Sequence, residues 1–362
     1  MIAPSKLFTA SSALVITLWM MVGPFLESGS ACTSFVQETP QGTVLGATLD
    51  LQVPAEGAVV VNRRGIAKEN FRKSTEGKTM KWVSRYGSIS FNVAGRGFPF
   101  GGMNEAGLVI SSMQDMQSEY PEPDGRFPFD AGSFIQYLLD TCGSVNDVIR
   151  ANERIRPEAD NGRPNHYLVA DESGNVAALE YVDGELMVYQ NEKLPVAAMS
   201  NMPYSRAVYA YQNDGPRWWW SNPGRSAERV AIAAKRIASY DPKRDPNPMK
   251  YAFHTLSLVA NPDTQWQVGY NIQKRKIWFR TNRSRTGKYF SFSDFDFSCD
   301  APSLLLDVHT AAAGHVAGAF SPYNHQRNLW MFETMCARLD IHVPHQDAVN
   351  LMRAVEQFSC AQ

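Results

Sequence analysis

Ser30-Ala31-Cys32-Thr33-Ser34-Phe35 decides how the rest of the chain is read. Small residues before Cys32 form a cleavage point, and a cut there makes cysteine the first residue of the mature chain. A terminal cysteine carries a thiol and a free amine close together, which is a nucleophile with its own base.

Toward the N-terminus, Lys6 supplies a positive start, Ala13 to Val22 an apolar run, and Pro24 and Gly29 break the helix before the small residues. About ten apolar residues are too few to span a bilayer core of roughly 30 Å, so residues 1–31 read as a signal peptide. Lipidation of Cys32 would want an aliphatic residue three positions earlier, where Gly29 stands. A periplasmic or secreted protein with no stable membrane anchor is the expectation.

Beyond the leader, residues 32–362 show no repeat, charge block or low-complexity linker, so one domain is expected. The chain has 35 basic and 36 acidic residues, well interspersed, which argues against a nucleic-acid partner. Cys142, Cys299, Cys336 and Cys360 accompany Cys32. In an oxidising compartment the four form up to two disulfides, with Cys336–Cys360 the first choice, or stay as small buried apolar side chains.

Period-two alternation gives strands over Thr33–Val36 and Thr43–Leu49, joined by Thr39-Pro40-Gln41-Gly42. This hairpin returns Asp50 to the side of Cys32. Further strands read at Ala58–Asn62, Ile89–Val93 and Leu108–Met113, with the glycine-rich Gly95–Gly102 segment between them read as loop. Helical spacing covers Ala131–Thr141 and Val145–Ile155. A four-strand meander follows at Tyr167–Ala170, Ala177–Tyr181, Leu186–Tyr189 and Val196–Ser200, with Asn201 at its end. A loop from Met202 contains Arg217-Trp218-Trp219-Trp220, expected to be partly buried because three consecutive tryptophans cannot face one way in regular structure. Helices from Ala227 to Tyr240 and from the Asn247-Pro248 cap, strands at Trp266–Ile272 and Ile277–Arg280, and helical patterns at Leu329–Leu339 and Ala348–Phe358 complete the chain. Strands in blocks with helices in blocks argue for an α+β fold of stacked sheets covered by helices.

Cys32-Thr33-Ser34, Gly46-x-x-x-Asp50, Gly102-Met103-Asn104-Glu105-x-Gly107-Leu108, His166-Tyr167-Leu168-Val169-Ala170-Asp171, Ser200-Asn201-x-Pro203, Ser226-Ala227-x-Arg229 and Trp266-x-Val268 occur in that order. Together they resemble the choloylglycine hydrolase and penicillin V acylase family, N-terminal nucleophile hydrolases that cleave linear amides. The resemblance covers roughly residues 32–285. It implies a four-layer αββα sandwich of two mainly antiparallel sheets, no cofactor, an N-acyl amide substrate and often a tetrameric homo-oligomer. It also implies site residues: Cys32 as nucleophile, Asp50 holding the terminal amine, Asn201 and a backbone N–H near Gln114 as oxyanion donors, and Arg229 favouring the thiolate. Relatives often carry Asn, Tyr or Trp where Gln114 falls. They usually have arginine where this chain has Ala47, and altered specificity is the expected consequence.

Other chemistries are less well supported. His309 with His315, and His342 with His345, lack further ligands and helix context for zinc and read as structural or surface histidines. No Gly-x-Ser-x-Gly elbow occurs. Two alternatives keep the same fold: a non-catalytic envelope lipoprotein or binding protein with Cys32 acylated, and an acyltransferase that resolves the thioester with an amine.

Overall fold

The expected first hairpin forms, with Thr33–Gln37 and Val44–Asp50 antiparallel and Thr33 opposite Thr48. Its tight packing depends on Gly46: a Cβ there would lie 2.7 Å from the Phe35 ring. The computed structural model describes residues 32–70, 74, 76–159, 163–213, 224–354, 356 and 359–361. The leader, the Arg217–Trp220 run and the end of the last expected helix at Phe358 lie outside the described residues.

Among the described residues, two large sheets carry the fold. The seven-stranded sheet runs in the order Ala198–Ser200, Thr33–Gln37, Val44–Asp50, Thr264–Asn271, Lys276–Thr281, Lys288–Ser291, Gly314–His315. At the centre of the nine-stranded sheet, Val176–Val182, Asn165–Ala170, Val109–Gln114, Pro99–Asn104, Ser88–Val93 and Gly57–Asn62 lie side by side. Pairing within both sheets is mainly antiparallel.

Alternation along the strands then builds the layers. Val36, Leu45, Ala47 and Leu49 join Phe91, Met103, Val109, Leu168 and Val268 in an apolar layer between the sheets. Phe35 and Val44, on the other face, pack with Ala227, Val230, Ala233, Ala252 and Leu256 from the helices Gly224–Ala238 and Pro248–Val259. On the far side, Ile110, Val169 and Leu179 pack against Phe134 and Leu138 of the helix Ala131–Thr141. The result is the expected α+β, four-layer αββα sandwich. A hydroxyl contact also crosses between the sheets, Ser34 Oγ to Ser111 Oγ at 2.6 Å.

Several expectations are corrected. Pro99–Asn104 is a strand rather than part of a glycine loop. Gly101 and Gly102 are there because a Cβ would lie 2.6 Å from the Ile110 and Ile89 carbonyl oxygens, respectively. The helix Val145–Ala151 stops early, and Ile155–Pro157 pairs instead with Phe127–Phe129. Ala198–Ser200 leaves the meander and pairs with Thr33–Gln37 in the other sheet. The region after Met202 forms a helix, Tyr204–Asn213. Cys360 bonds Cys299, not Cys336. The strand Ser359–Cys360 pairs with Ile66–Glu69, and Gly65 at its start lies against Cys299, whereas Cys336 packs beside Phe332 and Met352.

Candidate active site

Thr33–Gln37 starts one residue after Cys32 and is flanked by Val44–Asp50 and Ala198–Ser200. Thr33 therefore sits between Thr48 and Ser200, which brings the ends of three strands together. Cys32, Asp50 and Asn201 lie at those ends. The crossover of Ala198–Ser200 into this sheet is what delivers Asn201.

Cys32 is buried, and its thiol donates to the Asp50 carbonyl at 3.9 Å. Burial, reinforced by the Asp50 charge and opposed by Arg229, pushes the thiol pKa up to about 12. The fully buried Asp50 accepts from Asn261 Nδ2 at 2.8 Å through Oδ2, while its Oδ1 has no hydrogen-bond partner. Burial pushes this carboxyl up to about 6, against the pull of Thr264, Arg229 and Asn261. The strand beside it slips register between Thr264 and Trp266, a bulge lying against Leu49 and Asp50.

Arg229 ties the group together. Its Nε donates to Thr33 Oγ1 at 2.8 Å, and its Nη2 reaches Asn201 Oδ1 at 3.1 Å, Ser226 Oγ at 3.2 Å and the Cys32 carbonyl at 3.4 Å. With Oδ1 held by the guanidinium, the Asn201 amide nitrogen donates to the Gln114 carbonyl at 2.7 Å. A primary amide has two N–H donors, so one remains to serve an oxyanion. Cys32, Asp50, Asn201 and Arg229 thus lie in one linked cluster, which Gln114 joins through its carbonyl oxygen rather than through the expected N–H.

Sequence reading passed over Asn261 as the holder of Asp50 and the Thr33 hydroxyl as an anchor for Arg229. Thr33 stood within the quoted motif, and the Asn-Pro-Asp turn at Asn261 was the available signal for the other. Two further motif residues have structural work. Asn104 donates to the Leu139 and Cys142 carbonyls and accepts from Leu108 N, locking a turn in which Gly107 has φ +83°. Asp171 accepts from Val145 N and Asn175, fixing another turn. The zinc candidates are engaged locally: His309 at the Ala55 carbonyl, His315 at Asp294 and His345 at Glu333.

A family model described as linear amide C–N hydrolases, choloylglycine hydrolase family, matches residues 32–214, just over half of the chain. The chain belongs to that family. A penicillin V acylase from Pectobacterium atrosepticum is 24% identical over 185 residues, covering 46% of this chain and 49% of the relative. The chain thus spans about half the length of that relative. Among solved structures, a penicillin V acylase from Agrobacterium tumefaciens superposes with a TM-score of 0.65 at 19% identity, covering 81% of this chain and 98% of its own. A variant conjugated bile acid hydrolase from Clostridium perfringens gives 0.62 at 16% identity, covering 78% and 98%. These structural likenesses are likenesses of fold.

Proposed function

We propose that removal of residues 1–31 from an exported precursor frees Cys32, and that residues 32–362 then act as one unit hydrolysing a linear amide C–N bond in a small N-acyl substrate. The observation that carries this reading is the unpartnered, buried Oδ1 of Asp50 at the strand end beside Cys32. A free amine on Cys32 is a donor that would complete it. In the uncut chain that nitrogen is an amide bonded to Ala31, and the thiol, with a pKa of about 12, stays protonated near neutrality. Cutting supplies an amine whose ordinary pKa is about 7.7–8.0, basic enough to take the thiol proton.

The thiolate then attacks the amide carbon, and the oxyanion is held by Asn201 Nδ2 and a backbone N–H near Gln114. Collapse breaks the C–N bond as the α-ammonium passes its proton to the leaving amine, leaving a thioester on Cys32. Water attacks the thioester, releases the acid and restores the thiol. Arg229 orients the Asn201 amide and favours the thiolate by its charge. Substrates of the bile-salt, penicillin V and N-acyl homoserine lactone types fall within this class, and assembly into homo-oligomers is part of the same reading.

Intact mass of the exported chain and a panel of linear amides assayed with wild type and Cys32→Ala test the proposal. A free Cys32 terminus with acid release dependent on that thiol is expected. A diacylglyceryl adduct, or no turnover of any amide by the processed chain, overturns it. With amine acceptors added, acyl transfer in place of acid release would mark an acyltransferase instead.

A further inference from the structure

A second cluster, composed of Asp115, His166 and Glu180, all buried, touches the residue before Asn201 through the Ser200 carbonyl. His166 and Glu180 lie on neighbouring strands of one sheet, and Asp115 comes directly after a third. The pairing of Tyr167 with Leu179 sets His166 across from Glu180, and Asp115 follows the strand Val109–Gln114 on the other side. His166 Nε2 lies 2.6 Å from the Ser200 carbonyl. A carbonyl only accepts, so Nε2 carries the proton and donates. In a neutral ring Nδ1 is then a lone pair. It has no hydrogen-bond partner, and it faces Asp115 Oδ2 at 3.7 Å and Glu180 Oε2 at 3.9 Å.

A lone pair and two carboxylates turned toward one another in a buried cluster call for a cation between them. A proton on Nδ1 would draw a carboxylate to roughly 2.7–3.2 Å. Both gaps are wider than that. Ligands on one tetrahedral metal ion, each about 2.0–2.2 Å from it, stand about 3.4 Å apart, so His166 Nδ1 and each carboxylate would close by a few tenths of an ångström and the two carboxylates by up to about 1.4 Å. The donor atoms of all three residues lie within 4.8 Å of one another.

The surroundings have the form of a metal site. A ligating histidine generally donates its other N–H to a carbonyl or carboxylate, as His166 does to Ser200. Both carboxylates are also held in place: Glu180 accepts from Tyr189 Oη at 2.8 Å and Tyr204 N at 2.7 Å, and Asp115 from Gln117 N at 3.1 Å and Ser118 Oγ at 3.2 Å. We infer that Asp115, His166 Nδ1 and Glu180 bind one divalent cation of the zinc or manganese type, which the mixed imidazole and carboxylate donor set suits. Its role is positional. It stiffens the Ser200 carbonyl and, through the chain, Asn201 on one side and Gln114 on the other. The inference does not rest on amide hydrolysis.

The test uses the full chain carrying Cys32→Ala, which removes the site thiol as a competing ligand. After chelator treatment and dialysis, Zn2+ or Mn2+ is added and bound metal is counted by mass spectrometry. Expected are one tightly held equivalent, a raised melting temperature, and a zinc absorption-edge spectrum with nitrogen and oxygen neighbours only, including one imidazole. His166→Gln and Glu180→Gln should each weaken binding at least tenfold. Failure to retain either metal overturns the inference. Undiminished uptake by His166→Gln, or sulfur in the metal shell, also overturns it. If neither variant folds, the stoichiometry and absorption spectrum of the Cys32→Ala chain decide.

Discussion

Arg229 Nη2 donates to Asn201 Oδ1 at 3.1 Å, while the same guanidinium holds Thr33 Oγ1 at 2.8 Å. One side chain therefore sets both the amide proposed for the oxyanion and the strand that begins beside Cys32. Lysine keeps the charge but not the fork. Arg229→Lys should lower kcat by about 10²-fold, the scale of a 1 Å misplacement. Asn201→Ala should cost about 10²–10³. Because the two share a hydrogen bond, the double variant should lose less than the product of the single losses. Steady-state kinetics over the four-member cycle checks this, and strict multiplicativity would deny the coupling.

The hairpin that brings Asp50 to Cys32 was legible because alternation and turn chemistry are local signals, and so was the Ala131–Thr141 helix. Asn201, Arg229 and Gln114 were reachable only through family resemblance, since nothing near them in sequence says that they meet. The transfer of Ala198–Ser200 to the second sheet was hidden because its alternation is that of any fourth meander strand. Glycines at Gly101 and Gly102 imitated a loop while relieving contact with neighbouring strands. The His166 cluster escaped because its carboxylates flank the His166 strand from two sides and lie far apart in sequence, not in a spaced motif.

Asp50 gives the chain a pH signature that depends on processing. With residues 1–31 attached, its carboxyl titrates near 6 because it is buried, against about 3.9 in an unfolded chain. The folded state thus binds the proton more tightly, so stability is greatest below about pH 4 and declines as pH rises toward 6. The decline is on the order of 2 kcal/mol. Asp50→Asn should lack it. Thermal melts of the uncut chain and this variant between pH 4 and 7 measure the difference. In the processed chain an ammonium beside Asp50 lowers its pKa, and the decline should shrink. An equal slope in both forms would contradict the proposed pairing of Asp50 with the terminal amine.

Ala47 lies between Ser34 and Val268 on its neighbouring strands and is buried in the same apolar layer as Cys32. Ala47→Arg would push a guanidinium into that layer, combining overpacking with burial of a charge. A loss of about 3 kcal/mol is expected, read as a fall in the denaturation midpoint. In the fraction that folds, the ratio of activities between amides should shift. Increased turnover on every amide would mean that Ala47 is a defect rather than a specificity feature.

Gly46 and Phe35 pair across the first hairpin, and a Cβ on Gly46 would stand 2.7 Å and 2.8 Å from two ring atoms of Phe35. The ring is buried against the helical layer and has little room to retreat. Gly46→Ala should therefore cost about 1–3 kcal/mol by overpacking. It should also lower kcat, since the displaced strands end at Cys32 and Asp50. Phe35→Leu shortens the obstructing side chain at its own cost in lost packing. In the double variant the alanine methyl occupies space the ring vacated, so the combined loss should be smaller than the sum by about 1 kcal/mol. Denaturation midpoints for the four chains decide it: additive losses would place the strain of Gly46→Ala in the backbone rather than against the ring.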